Sequence, residues 1–248
     1  MTVAIGMYCV DGVVIVTDSA LTTGGPEQDG ATSEMRGPKV HKLNDHAIFA
    51  YAGDYSLAER IRRRIEGLLD DWMKEAPDGL ELADKISDDL QCFFEKRRKD
   101  AMHGNASIML AFEINGCIEL VTFGGQFVPT HYSRGTFYVA MGTGKKIADP
   151  AMSFLQVACD IKELRVDDAV VLAMLVATQV IIANPGGVRG PLQVQYLKRT
   201  DSGFEHVVLD DFSELNTKIK QINDRIRTAI FGSGVPARAA PMPEFNDR

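Results

Sequence analysis

The chain has 248 residues, with 27 Lys and Arg against 34 Asp and Glu, for a net charge of −7. Its 45% hydrophobic and 25% charged residues are ordinary globular values and exclude wholesale disorder or a fibrous repeat. The acidic balance argues against nucleic acid as a partner, because neutralising phosphates requires a basic face.

Residues 2–9 and 13–18 are two β-rich runs joined by Val10-Asp11-Gly12, and Asp-Gly between apolar runs predicts a tight hairpin. Residues 22–37 are polar and Gly-rich and read as a loop. A second hairpin is expected from residues 40–43 and 47–51 around Asn44-Asp45-His46, before Ala52-Gly53-Asp54 breaks the strand. Leu57, Ile61, Ile65, Leu68, Leu69 and Trp72 then share one helical face. Asp78-Gly79-Leu80-Glu81 has capping-box spacing and opens a helix carrying Leu82, Ile86, Leu90, Phe93 and Phe94. That helix runs into Lys96-Arg97-Arg98-Lys99, read as its solvated C-terminal end.

Strands return at residues 106–114 and 117–123, joined by Asn115-Gly116, and again at 137–141. Residues 146–161 and 167–183 read as two helices, the second stopped by Asn184-Pro185-Gly186-Gly187. Residues 192–197 and 204–209 form a closing hairpin. Hairpins dominate, so the sheets are antiparallel, and the helices come in consecutive pairs that can each cover one sheet. The expected fold is therefore α+β, a four-layer αββα sandwich over residues 1–211. A C-terminal helix is expected over 212–231, with a stripe of Leu215, Ile219, Ile222, Ile226 and Ile230 that serves core packing or a subunit contact. Residues 232–248 read as a tail.

The cysteines, Cys9, Cys92, Cys117 and Cys159, form no CxxC pair and read as small buried hydrophobes in a reducing compartment. No Lys or Arg precedes the apolar start, unlike a secretion signal. The longest apolar run, residues 169–183, falls short of the ~18 residues of a spanning helix. A cytoplasmic chain without a membrane partner is expected. His41, His46, His103, His131 and His206 lie on separate elements and read as surface or turn residues without metal-ligand spacing.

Thr2 is the first candidate for chemistry. Removal of Met1 would leave a hydroxyl and an α-amine on one residue, and an amine of pKa about 7.7–8.0 is a suitable base at neutral pH. Alone, Met-Thr is a common start. Asp18 ends an apolar strand, where an unpaired carboxylate would be costly. Lys39, after the loop, is its expected partner. Beside Thr2, such a lysine would lower the hydroxyl and amine pKa values; otherwise the pair is a salt bridge at a sheet end. Gly53 follows a strand and precedes a helix, where it either aims a backbone N–H outward, as an oxyanion hole requires, or simply turns the chain. A strict two-residue Asp11-Gly12 turn would pair Gly6 with Thr17 and set Thr2 and Asp18 on opposite faces, so a bulge or longer turn is expected.

Taken together, TVAIGMYCVDGVVIVTDSA followed by GPKVHKLNDHAIFAYAGDYSLAERI resembles the start of proteasome β-type subunits and their bacterial homologues, which are N-terminal-nucleophile hydrolases. Thr2, Asp18 with Ser19, Lys39 and Gly53 stand where the family has its N-terminal Thr, Asp-Ser, Lys and Gly. The resemblance extends to about residue 209 and implies the αββα fold. Gly142-Thr143-Gly144 is similar to the family's Gly-Ser-Gly, which implies that Thr143 hydrogen-bonds near the nucleophile. At 184–188 the family carries an Asp and a Ser; here Asn184 stands in the Asp's place and no Ser follows.

The resemblance also places Leu21, Tyr51 and Tyr55 near a specificity pocket, which Tyr51 would narrow. It implies a threonine peptidase that needs no cofactor or metal, and a homo-oligomer of stacked rings, two rings of seven subunits each. Peptides or unfolded proteins are its expected substrates, and an ATP-dependent unfoldase a possible partner. Two alternatives stay open: a non-catalytic structural or gating ring subunit, and a small-amide hydrolase of the same fold.

Overall fold

The computed structural model describes residues 2–23, 33–95, 105–158, 163–184 and 188–231. Met1, Lys96 to Lys99, His103, Cys159, Pro185 to Gly187 and the expected tail lie outside the described residues.

Strands β1 (Ala4–Cys9) and β2 (Gly12–Asp18) form the first hairpin, but its loop is Val10-Asp11. Ala4 pairs with Thr17 and Gly6 with Ile15. Tertiary contacts select this loop. The Asp11 carboxylate accepts the Val166 N–H at 2.9 Å. The Asp11 carbonyl accepts the Arg199 N–H at 2.7 Å, and the Val10 N–H donates to Leu164. Gly12 is therefore not needed for a turn conformation. It admits a neighbouring strand, since a Cβ there would fall 2.2 Å from the Leu197 carbonyl oxygen.

The expected loop at 22–37 instead contains a two-stranded ribbon, β3 (Ala20–Thr23) and β4 (Ser33–Arg36). The β-branched Thr22 and Thr23 favour extended backbone, and half-buried Leu21 ties the ribbon to the core. Strands β5 (Val40–Asn44) and β6 (Ala47–Gly53) form the second hairpin. The Asn44 side chain accepts the His46 N–H at 2.9 Å and so shapes the tip.

The apolar stripe from Leu57 to Trp72 divides into α1 (Tyr55–Glu66) and α2 (Leu69–Glu75). Asp54 caps α1 by accepting the Leu57 N–H at 2.7 Å. The break falls at Gly67-Leu68, where glycine has the weaker helical preference. Helix α3 (Gly79–Glu95) starts on the Asp78 carboxylate, which accepts the Glu81 N–H at 3.0 Å.

Strands β7 (Ala106–Ile114) and β8 (Cys117–Phe123) have the bounds the sequence implies, with Asn115 and Gly116 at φ of 52° and 79° as a tight Asn-Gly turn requires. Strand β9 (Pro129–Tyr132), short and polar, was not anticipated. Then follow β10 (Tyr138–Met141), α4 (Lys145–Ala158), α5 (Val166–Ala183), β11 (Leu192–Thr200), β12 (Gly203–Leu209) and α6 (Ser213–Phe231).

The long strands form two antiparallel five-stranded sheets, ordered β10-β1-β2-β11-β12 and β5-β6-β7-β8-β9. Strand alternation divides the apolar residues among three cores. Ile5, Met7, Val14 and Val16 meet α4, α5 and α6. Ala4, Val13, Ile15, Ile48, Ala50, Met109 and Leu120 lie between the sheets. Phe49, Tyr51, Leu110 and Phe112 meet α1, α2 and α3. This is the αββα sandwich.

Helix α5 is 18 residues long with a mean hydropathy of 2.0, long and apolar enough by composition to cross a membrane, yet most of it is buried against the first sheet. The stripe of α6 divides: Ile219 is buried in that core, while Ile226 and Ile230 are 46% and 65% exposed. Cys9 is buried, but Cys92 and Cys117 are exposed, contrary to expectation. Cys117 opens a strand beside a turn, and Cys92 lies on the wet side of α3.

Replacing Gly12 by alanine forces β11 away from β2. We expect a loss of about 1–3 kcal/mol in urea denaturation, the cost of overpacking a tight contact. An alanine at Gly124, where a Cβ meets nothing within 4 Å, is the control.

Candidate active site

The chemistry-bearing residues meet at one end of the sandwich, where the chain enters β1, β2 ends and β5 begins. Thr2, Asp18 and Lys39 are all buried, at 5%, 0% and 1% exposure. The Lys39 Nζ donates to Thr2 Oγ1 at 3.0 Å and to the two Asp18 carboxylate oxygens at 3.0 and 2.9 Å. The same carboxylate accepts the Val3 N–H at 2.9 Å and the Ala20 N–H at 3.2 Å.

Neither a bulge nor a longer turn brings these groups together. Asp18 lies opposite Val3, its own N–H donating to the Val3 carbonyl at 3.2 Å. Strand alternation still sets Asp18 on the face of Val3 rather than that of Thr2. However, β1 begins only at Ala4, and Lys39 arrives from the other sheet to span both groups.

The electrostatics follow from burial. Desolvation pushes the Asp18 carboxyl above its ordinary pKa, and the neighbouring ammonium pulls it back only in part. Desolvation likewise lowers Lys39 below the ordinary lysine value, against the pull of Asp18. A cation that gives up its proton more readily than usual thus touches the hydroxyl oxygen of Thr2.

The segment Gly142-Thr143-Gly144 holds the backbone of Thr2. The Thr2 N–H donates to Thr143 Oγ1 at 3.3 Å, and the Gly144 N–H donates to the Thr2 carbonyl at 3.0 Å. Gly142 has φ +81°, and a Cβ there would lie 2.3 Å from the Thr2 carbonyl oxygen, so this position admits only glycine. Thr143 thus lies beside the backbone nitrogen of Thr2.

Gly53 ends β6 in an exposed position with φ +110°. The Tyr51 N–H donates to the Lys39 carbonyl at 3.2 Å, so Gly53 lies two residues past the partner of Lys39, at the same end of the sheet. Tyr51 is buried at 2%, its hydroxyl donating to the Pro38 carbonyl at 3.3 Å, and burial pushes its pKa up. Tyr55 is 47% exposed, with its ring centroid 6.3 Å from that of Tyr51. Leu21 packs at the margin of the same apolar core. His41, expected at the surface, is half-buried with its ring stacked 6.3 Å from Tyr51.

The buried Ser19 hydroxyl has no hydrogen-bond partner among the described residues. Asn184 caps α5, its N–H on the Val180 carbonyl and its carbonyl accepting the Val188 N–H. A polar cavity of about 260 Å³, lined by Tyr132, Tyr138, Lys145 and Asp149 among others, contains none of the expected site residues. Among the described residues no His, Cys, Asp and Glu side chains gather into a metal-binding group.

Gln193 belongs to the site without standing in any sequence motif. Its Oε1 accepts the Lys39 N–H at 2.8 Å and its Nε2 donates to the Gly37 carbonyl at 3.1 Å. The available signal was a pair of glutamines, Gln193 and Gln195, alternating with the apolar Leu192, Val194, Tyr196 and Leu197 in the first part of a strand.

A four-layer sandwich with a buried threonine at the entry to its first strand, under a lysine–carboxylate pair, has the architecture of the N-terminal-nucleophile hydrolases. A family model described as proteasome subunit matches residues 2–184, and the chain belongs to that family. No curated protein matches it. Among solved structures it resembles Anbu (ancestral beta-subunit) from Yersinia bercovieri, at 15% identity over 96% of this chain and 99% of that one, with a TM-score of 0.71. Anbu from Hyphomicrobium sp. strain MC1 is similar at 15% identity over 95% and 99% of the two chains, with a TM-score of 0.69. At this identity the likeness is one of fold.

Removing one charge of the buried pair leaves the other uncompensated. Asp18→Asn is expected to cost about 3–5 kcal/mol in chemical denaturation. The double variant Asp18→Asn with Lys39→Met should recover part of that loss, which a double-mutant cycle measures.

Proposed function

We propose that this chain is a threonine peptidase that uses Thr2, exposed by removal of Met1, to hydrolyse peptide bonds within a homo-oligomeric ring assembly. The observation that carries this reading is the Lys39 ammonium 3.0 Å from Thr2 Oγ1.

Thr2 Oγ attacks the substrate carbonyl carbon and its proton passes to the α-amine. The Lys39 cation, oriented by Asp18, stabilises the oxygen as it loses that proton. The Gly53 N–H donates to the developing oxyanion. The C–N bond breaks, the departing amine takes the proton, and an ester on Thr2 remains. Water, deprotonated by the α-amine, cleaves the ester and restores the hydroxyl. Thr143, already bonded to the Thr2 nitrogen, holds that nitrogen in place. Leu21, Tyr51 and Tyr55 form the wall against which the side chain before the cut bond rests, and the buried bulk of Tyr51 favours a modest one.

Family membership and the fold likeness to Anbu support the ring assembly. A stacked pair of rings, a cytoplasmic location, substrates delivered as unfolded chains and an unfoldase partner belong to the same proposal.

Intact mass spectrometry of the purified protein should show the loss of Met1; its retention would remove the amine and leave a structural ring subunit. Thr2→Ala should lower turnover of fluorogenic peptides by more than about 10³-fold, whereas Thr2→Ser keeps measurable activity.

The pH profile follows from the same groups. The rate constant kcat/KM should rise as the amine loses its proton, at or below its ordinary range of about 7.7–8.0. It should then fall as Lys39 loses its proton, and because burial lowers Lys39 this alkaline limb lies below 10.5.

A further inference from the structure

The peptide segment that carries Lys39 is held from the opposite sheet by side chains. Strand β5 is the edge of its sheet, bonded to β6 on one side only. The Lys39 carbonyl is used by Tyr51 on that side. The backbone groups on the other side face β11, whose own backbone is spent on β2 and β12. Two glutamines fill the gap. Gln195 is buried, its Nε2 donating to the Val40 carbonyl at 3.4 Å and its Oε1 bonded to His206 at 3.1 Å. Gln193 takes both the Lys39 N–H and the Gly37 carbonyl, and its Oε1 lies 3.4 Å from the Thr17 hydroxyl. The orientation of the Gln193 amide is determined by its partners, since a backbone N–H can only donate and a carbonyl only accept.

We propose that Gln193 is a positioning residue of the active site, whose amide fixes the Gly37–Lys39 backbone and thereby sets the Lys39 ammonium over Thr2 Oγ1. This rests on the reading of Thr2 as the nucleophile. The two glutamines are neighbours on one strand, yet only Gln193 touches the lysine's own peptide. Gln193 also joins Lys39 to β2 through Thr17, the residue before Asp18, so one amide ties the cation's backbone to the strand that carries its counter-ion. A displacement of about 1 Å at a reacting group is enough to cost about 10²-fold in rate.

The test compares Gln193→Leu, Gln193→Glu and Gln195→Leu in the full chain, with peptide kinetics and NMR titration of ¹³Cε-lysine, Lys39 being assigned through Lys39→Arg. Gln193→Leu should lower kcat at least tenfold with KM within twofold, and move the Lys39 titration up toward 10.5 as water reaches the displaced ammonium. Gln193→Glu keeps the acceptor for the Lys39 N–H and adds a negative charge, so it should retain more activity than the leucine variant and raise the alkaline limb. Gln195→Leu should leave the Lys39 titration in place, with kcat changed less than threefold. Should Gln193→Leu keep both its rate and its Lys39 titration, or should Gln195→Leu disturb them equally, the assignment is overturned. If the unaltered protein turns over no peptide, the peptidase reading fails, and the Lys39 titration alone decides whether Gln193 positions the ammonium. A Gln193→Leu protein with unchanged titration then sinks the inference independently.

Discussion

A lysine ammonium and a carboxylate that are both withdrawn from water stay charged only where the protein replaces what water supplied. At Asp18 the replacement comes from the Val3 and Ala20 amides and from Lys39 itself. Those donors belong to the entry of β1, the corner after β2 and the start of β5. The pair therefore ties together three stretches that are distant in sequence, and its cost is tolerable only while all three keep their places. As a source of stability such a pair is poor. As a means of keeping a cation against a hydroxyl oxygen it is effective, because the low-dielectric surroundings strengthen every charge that remains.

The sandwich supplies the rigid frame. Each five-stranded sheet is apolar on both faces, so each must be covered by helices on one side and by the other sheet on the other. Stacking the sheets sets the end of β2, central in one sheet, beside the start of β5, the edge of the other. An edge strand ordinarily needs water or a partner for its unpaired backbone groups. Side chains of β11 serve here: Gln193 reaches the Lys39 N–H and the Gly37 carbonyl, and Gln195 the Val40 carbonyl, from the facing sheet.

Much of this order can be read from residue types, and the failures have identifiable causes. The Asn115-Gly116 turn and its flanking strands follow from local chemistry, and the structure agrees with them to the residue. The β1–β2 loop does not, because Asp11 is held by α5 and β11, which no local rule foresees. The stripe from Leu57 to Trp72 is one periodic pattern, yet a single glycine lets it bend into two helices. Strands β3, β4 and β9 are short and polar and exist through pairing rather than through apolar patterning. At the site, Thr2, Asp18, Lys39 and Thr143 were visible as residue types in a characteristic order, and the structure brings them together. Gln193 was not, since a glutamine in a strand carries no chemistry until the backbone it serves is known.

Under the proposed reading of Thr2 as an N-terminal nucleophile, the hold on Thr2 bears on how one site would serve before and after removal of Met1. Its carbonyl is fixed by the Gly144 N–H and its nitrogen by the Thr143 hydroxyl, so the backbone is set without using the side chain. As an amide that nitrogen can only donate, and the Thr143 oxygen must accept. As an amine it also offers a lone pair, and a hydroxyl, which can both donate and accept, is able to turn and face it. A carboxylate at position 143 could not reverse in this way, and it would draw the amine toward its protonated, inactive form. A small neutral hydroxyl keeps the geometry while leaving the nitrogen free to carry a proton or to release it, which is what a base at that position requires.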